Sequence, residues 1–276
     1  TKTRVLIFIG VVLFLFSCQK KSLTPQPSIK LWYQQPAIAT TPDNPKGWED
    51  DSEWLKALPL GNGSLGAMVF GDVNKERIQL NEESMWSGSV NDDDNTEAYP
   101  AQSKIKQLLF EGKYKEASEL TQKTQICKGQ GTGHGKGANV PFGSFQTLGD
   151  LWIDFEKETG YEKYYRELDM ENAIVRVTYT QGGINYKREI FVSQPDQLMV
   201  VKLTADKPGS ISFKSTLTRP EKFQTKKGNN QLIMQGTLSN GKGGDGLQYM
   251  ARLSALNKKG TVNYTNSELI VKNADE

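Results

Sequence analysis

The chain has 276 residues, 36% hydrophobic and 24% charged, with 34 basic against 32 acidic side chains for a formal net charge of +2. That length suits one large all-β unit behind a leader, and the near-balanced charge, spread along the chain, argues against a nucleic-acid partner. One histidine and two cysteines exclude a disulfide framework and make a zinc site untenable, so neither a metal nor another cofactor is expected.

Residues 1–16 place Lys2 and Arg4 ahead of an unbroken apolar run of about a dozen residues, too short for a confident transmembrane span and suited to a signal-peptide core. The run ends in Leu15, Phe16, Ser17 and Cys18, which resembles a bacterial lipoprotein box. The expectation is a leader over 1–17, with Cys18 as the lipidated first residue. Residues 18–30, rich in Lys, Ser, Pro and Gln, read as a flexible tether. Gln19 behind the cysteine favours the outer membrane of a bacterial envelope, so a membrane reached through the lipid is an expected partner.

Residues 33–53 are polar and broken by Pro36, Pro42, Pro45 and Gly47, a surface arm in which Trp48 and Trp54 cap local apolar clusters. In 58–88, Gly61, Gly63 and Gly66 permit a sharp turn before the apolar run 65–70. Residues 72–76 form a turn, and 77–80 return as a strand with Ile78 and Leu80 on one face. Asn81, Glu82, Glu83 and Trp86 follow. Their amide, carboxylates and indole form a set suited to holding a sugar, which is bound by bidentate polar groups and stacked on flat apolar faces. The alternative is a Trp86 that belongs to the core or a domain interface, beside solvated carboxylates.

The run 91–95, three aspartates between asparagines, lacks the EF-hand pattern and reads as a solvated turn. Pro100 opens a helical stretch with Ile105, Leu108 and Leu109 at helix spacing; Gly112 interrupts it before Tyr114, Ala117 and Leu120. Five glycines over 129–137 surround His134, but without a strand before them and a helix after them they are a loop, not a phosphate cradle. From Leu151 onward, short alternating segments recur around 151–155, 174–179, 184–192, 198–204, 211–217, 232–235, 247–256 and 269–272. The fold class is therefore mainly β, a large two-sheet antiparallel β-sandwich with a short helical insertion.

Hydrolysis of a glycosidic bond needs two carboxyl groups flanking it. Glu82 and Glu83 are adjacent and would point to opposite faces of a strand, while Asp150 and Asp154 share a face with Trp152 and follow from alternation alone. No catalytic residue is assigned.

Residues 58–88, LLFEGKY at 108–114, FQTLGDLWIDF at 145–155 and the run 165–201 together resemble the N-terminal domain of glycoside hydrolase family 95, whose members are mostly α-L-fucosidases. The resemblance implies a protein acting on glycans with terminal α-L-fucose or L-galactose. It also implies an inverting mechanism whose glutamate, asparagine and aspartate come from a helical barrel following this domain, and none of those motifs is matched here. Residues 31–276 would then be an N-terminal, non-catalytic β-sandwich truncated at its C-terminus, partnered in cis by a C-terminal helical catalytic domain. Asn62, Asn81, Glu82, Trp86 and Gln146 are the substrate-binding set that this implies. Two other readings stay open: a stand-alone carbohydrate-binding surface lipoprotein, and a phosphorylase relative, since a similar sandwich precedes the barrel of family 65.

Overall fold

The computed structural model describes residues 29–38, 52–90, 92–128, 137–155 and 160–276. The expected leader with Cys18, the tether up to residue 28, Trp48 and the glycine-rich run around His134 as far as residue 136 lie outside the described residues.

Fifteen strands and two α-helices follow in order. They are β1 (Lys30–Tyr33), β2 (Leu58–Gly61), β3 (Leu65–Val69), β4 (Lys75–Glu82), α1 (Ala98–Phe110), α2 (Tyr114–Thr124), β5 (Gly149–Asp154), β6 (Glu162–Asp169), β7 (Ile174–Gln181) and β8 (Ile184–Ser193), then β9 (Leu198–Ala205), β10 (Ile211–Thr218), β11 (Phe223–Gly228), β12 (Gln231–Ser239), β13 (Asp245–Leu253), β14 (Thr261–Tyr264) and β15 (Leu269–Ala274). All pairings are antiparallel. One sheet runs β1-β6-β7-β8-β9, a second β14-β15-β10-β5-β4-β3-β2, and a third β11-β12-β13. The expected antiparallel sandwich with a short helical insertion is therefore present, with three strands set apart as a small extra sheet.

Alternation explains the strands best where one face is buried. In β7, Val175, Val177, Tyr179 and Gln181 are buried while the residues between them are half-buried. Gly182 and Gly183, at φ 60° and 74°, close the hairpin to β8, the positive pair that a two-residue turn between right-twisted strands requires. All three sheets contribute to one core: Val69, Ile78 and Leu151 from the seven-stranded sheet, Val177 and Ile190 from the five-stranded one, Leu232 and Met234 from the third. In the helical insertion Gly112, at φ 73°, ends α1, and the amides of Gly112 and Lys113 bond back to the carbonyls of Leu109 and Leu108. The two helices bury Leu108, Ala117 and Thr124, while Tyr99, Phe110 and Tyr114 stand in solvent.

A polar cluster is embedded between the two larger sheets. The turn from β3 to β4 enters it, and Arg188 of β8 donates to the carbonyls of Asp72 and Val73 at 2.5 Å each, to Glu76 Oε2 at 2.9 Å and to Tyr179 Oη at 3.0 Å. Gly71 N–H donates to Glu76 Oε1 at 2.8 Å, and Tyr164 Oη donates to the Gly71 carbonyl at 2.7 Å. Arg166 bonds the carbonyls of Gln35 and Phe70. Burial pushes the Glu76 carboxyl up to about 7, against the pull of Arg188 and the Gly71 amide. Arg188 Nε has no partner among the described residues. On the opposite, outer face of the five-stranded sheet the charges are wet, and there Arg176 bridges Glu167, Asp169 and Glu189 and holds Asp169 well below the usual carboxylate range.

Candidate functional site

The hairpin of β2 and β3 turns through residues 62–64. Asn62 Oδ1 accepts the amides of Ser64 and Leu65 at 3.0 and 2.8 Å, and its Nδ2 donates to the Ser193 carbonyl at the end of β8, 3.2 Å away. This is the local side-chain turn that Asn forms readily, and Gly63 at φ 102° makes it possible. Both polar atoms of Asn62 are thus engaged by the fold.

β4 runs alongside, with Asn81 opposite Gly66 and Glu82 opposite Leu65. Asn81 is exposed. Glu82 Oε2 accepts both the Ser84 amide, at 2.9 Å, and the Ser84 hydroxyl, at 2.5 Å, which tightens the turn out of β4. Glu83 Oε1 accepts the Ser64 hydroxyl at 2.9 Å, tying that turn to the β2–β3 hairpin.

Beyond the turn the chain crosses to residues 140–147. Met85 is buried, and its carbonyl accepts the Gln146 amide at 2.8 Å. Ser87 N–H donates to the Ser144 carbonyl at 3.0 Å while Ser144 N–H donates to Ser87 Oγ at 3.1 Å. Between these contacts Trp86 forms an isolated antiparallel bridge with Phe145. The two rings lie 6.1 Å apart at 56°, with Trp86 50% and Phe145 42% exposed. An aromatic pair held this open on a well-bonded backbone offers a ready apolar ledge for the C–H face of a sugar.

Gln146 turns its carboxamide oxygen to Arg219 Nη2, and Arg219 Nη1 donates to the Thr147 carbonyl at 2.9 Å. The guanidinium lies 5.0 Å from the Tyr249 ring centre, and its buried Nε has no partner among the described residues. Burial raises the Tyr249 phenol, whose hydroxyl donates to the Lys222 carbonyl at 2.7 Å.

The structure thus brings Trp86 and Gln146 side by side through the Met85 and Phe145 backbones. Asn81 and Glu82 sit one turn earlier, and Asn62 is committed to its own hairpin. Phe145 and Arg219 were not singled out from the sequence. Phe145 had a signal, as the neighbour of Gln146 in a quoted motif. Arg219 had none, because its partners are distant in the chain. Among the described residues no group of three or more His, Cys, Asp or Glu side chains could hold a metal. Asp150, weighed as a carboxylate partner for Asp154, is buried against Arg77 at 2.9 Å.

Comparison with known proteins bears on what this ledge belongs to. The chain is 34% identical to alpha-L-fucosidase 2 of Arabidopsis thaliana over 189 residues, 67% of this chain and 21% of that protein. It is 29% identical to probable alpha-fucosidase A of Aspergillus niger over 157 residues, 54% of this chain and 18% of that one, and 29% identical to its namesake in Aspergillus oryzae over 161 residues. The chain spans about a fifth of the length of the curated relatives it matches. A family model described as glycosyl hydrolase family 65, N-terminal domain, matches residues 31–276, nearly all of the folded body, and the chain belongs to that family.

Proposed function

We propose that the chain is the N-terminal β-sandwich of an exported α-L-fucosidase, a part that does not itself cleave the glycosidic bond but borders the sugar pocket of a helical catalytic domain in the same longer protein. The observation that carries this reading is the open Trp86–Phe145 ledge, set beside Glu82 and Glu83 whose carboxylates are occupied in holding their own turns. An aromatic surface contributes binding; a pair of carboxyls spanning the bond contributes hydrolysis. Exposed Tyr99, Phe110 and Tyr114 on the helical insertion support packing against the rest of the chain. The fucosidase names of the relatives support the substrate, a fucosylated glycan.

The test is kinetic, in the full-length enzyme. Trp86→Ala is expected to lower kcat/KM for an aryl α-L-fucoside by about tenfold, the loss of one stacked contact of about 1.5 kcal/mol. Wild-type kinetics in a folded variant would make Trp86 purely structural. In the same assay this domain alone is expected to leave the substrate intact, and turnover by it that disappears with Glu82→Gln would overturn the non-catalytic reading.

The apolar run 5–16 behind Lys2 and Arg4, ending in Leu15, Phe16, Ser17 and Cys18, supports a place in the bacterial envelope, anchored through Cys18. Cys18→Ala is expected to move the protein from the membrane fraction to the soluble one, because the tether has too little apolar surface to bind lipid alone. Unchanged fractionation would show that the apolar run 5–16 remains as the anchor.

A further inference from the structure

The outer face of the three-stranded sheet differs from that of its larger neighbours. In β12, Leu232, Met234 and Leu238 join the core, so Ile233, Gln235 and Thr237 point the other way. Register extends the pattern sideways. Gln224 of β11 lies opposite Gln235, Gln235 lies opposite Met250 of β13, and Thr237 lies opposite Gln248. Together with Lys222 at the rim they line an open trough of about 630 Å³, within the roughly 300 to 1,000 Å³ usual for small-ligand sites.

Its chemistry is unlike that of the charged outer face of the five-stranded sheet, where Arg176 is saturated by three carboxylates. Here three carboxamides and a hydroxyl stand together, and among the described residues none of the three amides has a hydrogen-bond partner. A carboxamide offers donors and an acceptor at once, which matches sugar hydroxyls, themselves both donors and acceptors. No carboxylate lines the trough; its one lining lysine, Lys222, sits at the edge, and Lys226 and Arg252 flank Ile233 in the next row of the same face. The half-exposed Met250 supplies an apolar flank. Gln224 and Gln235 stand on neighbouring strands about 4.8 Å apart, with Met250 closing that row and Gln248 one row further along beside Thr237.

We infer that this trough is a second carbohydrate-binding site, taking a short stretch of neutral oligosaccharide on Gln224, Gln235, Thr237 and Gln248, separate from the Trp86 ledge. It requires neither fucose nor hydrolysis. Its role would be to hold a glycan chain on the domain.

The test is calorimetric titration of the 276-residue chain with cellotriose, xylotriose and 2′-fucosyllactose, with trigalacturonate as the anionic control. Saturable binding is expected for at least one neutral sugar and not for trigalacturonate. Gln235→Ala is expected to weaken it about fivefold, the loss of roughly one hydrogen bond, and Gln235→Ala with Gln248→Ala to abolish it. Gln235→Glu, which keeps the shape, checks that the effect is not misfolding and should also weaken binding. Trp86→Ala should leave the binding of cellotriose and xylotriose, which carry no fucose for the ledge, unchanged. Absence of binding by all three neutral sugars, or full affinity in the glutamine variants, would overturn the inference. Loss in Trp86→Ala alone would place the sugar on the ledge, ending the trough proposal while leaving the ledge reading intact.

Discussion

Arg188→Met is expected to cost about 3 to 5 kcal/mol of stability at pH 8, the range found when one partner of a buried ion pair is removed. Arg188 is almost wholly enclosed and feeds two backbone carbonyls, Glu76 and Tyr179. A methionine fills part of the volume but satisfies none of those acceptors. The loss should depend on pH, with a definite sign. Glu76 is raised to about 7 in the folded protein, chiefly by burial, from an ordinary value near 4.5. A carboxyl raised in this way favours the folded state fully below its unfolded value, and that contribution is lost as pH rises through the folded value. Without Arg188 the folded value rises further. Between pH 5 and 7 both proteins therefore weaken with rising pH; above 7 the wild type levels off as Glu76 ionises beside its arginine, while the variant continues to fall by about 1.4 kcal/mol per pH unit. Urea unfolding at pH 5, 7 and 8 reads this directly, and a stability difference that stays constant or shrinks above pH 7 would contradict it. Pairing Arg188→Met with Glu76→Gln should flatten the difference, since no ionisable group is then left stranded.

Gly143→Ala should lower stability by about 2 to 4 kcal/mol, combining left-handed backbone strain with a backbone clash. Gly143 is buried at φ 73°, and an added Cβ would lie 1.9 Å from the Ser87 carbonyl oxygen and 2.6 Å from its carbon. The neighbouring Gly88, at φ 95°, would collide with the Pro141 carbonyl in the same way. The two chain segments carrying Trp86 and Phe145 thus approach with no room for a side chain, so the substitution has to push the ledge apart. Gly182→Ala is the control: φ is 60° and nothing lies within 4 Å, so strain alone remains, about 1 kcal/mol. Thermal unfolding should show a drop of about 5 to 15 °C for Gly143→Ala and only a few degrees for Gly182→Ala. Equal drops would mean that the close approach carries no structural weight.

Much of the fold was legible because apolar alternation reports burial directly. The strands around Val175, Tyr186 and Leu151 fall where the pattern places them, and Gly112 and the Gly182–Gly183 pair mark their turns. Strands β1, β2, β6, β11 and β14 were missed as such; β2 lies where the glycines read as a turn. All four residues of β1 are exposed, and β11 reads FQTKKG, so neither carries a periodic apolar signal; both exist because a neighbouring strand supplies hydrogen-bond partners. β6 hides its pattern differently, burying Tyr164 and Arg166, a polar residue where an apolar one marks a strand.

At the ledge, the expectation of sugar contact rests on the residue types of Asn81, Glu82 and Trp86 in the sequence. What the sequence by itself determined is therefore which side chains face the core in the regular strands, where hairpins turn, and that the fold is mainly β. Only the tertiary structure decided how each polar residue is used. Glu76 reads as a turn residue until Arg188, 112 positions away, meets it inside the core. Asn62 reads as an open polar residue until the Ser193 carbonyl accepts from its amide, and Gln146 until Arg219 donates to its carboxamide oxygen. The physical reason is that burial is set by local periodicity, whereas a hydrogen-bond partner is set by which distant strand arrives opposite, and that information lies in the pairing of sheets, not in any window of residues.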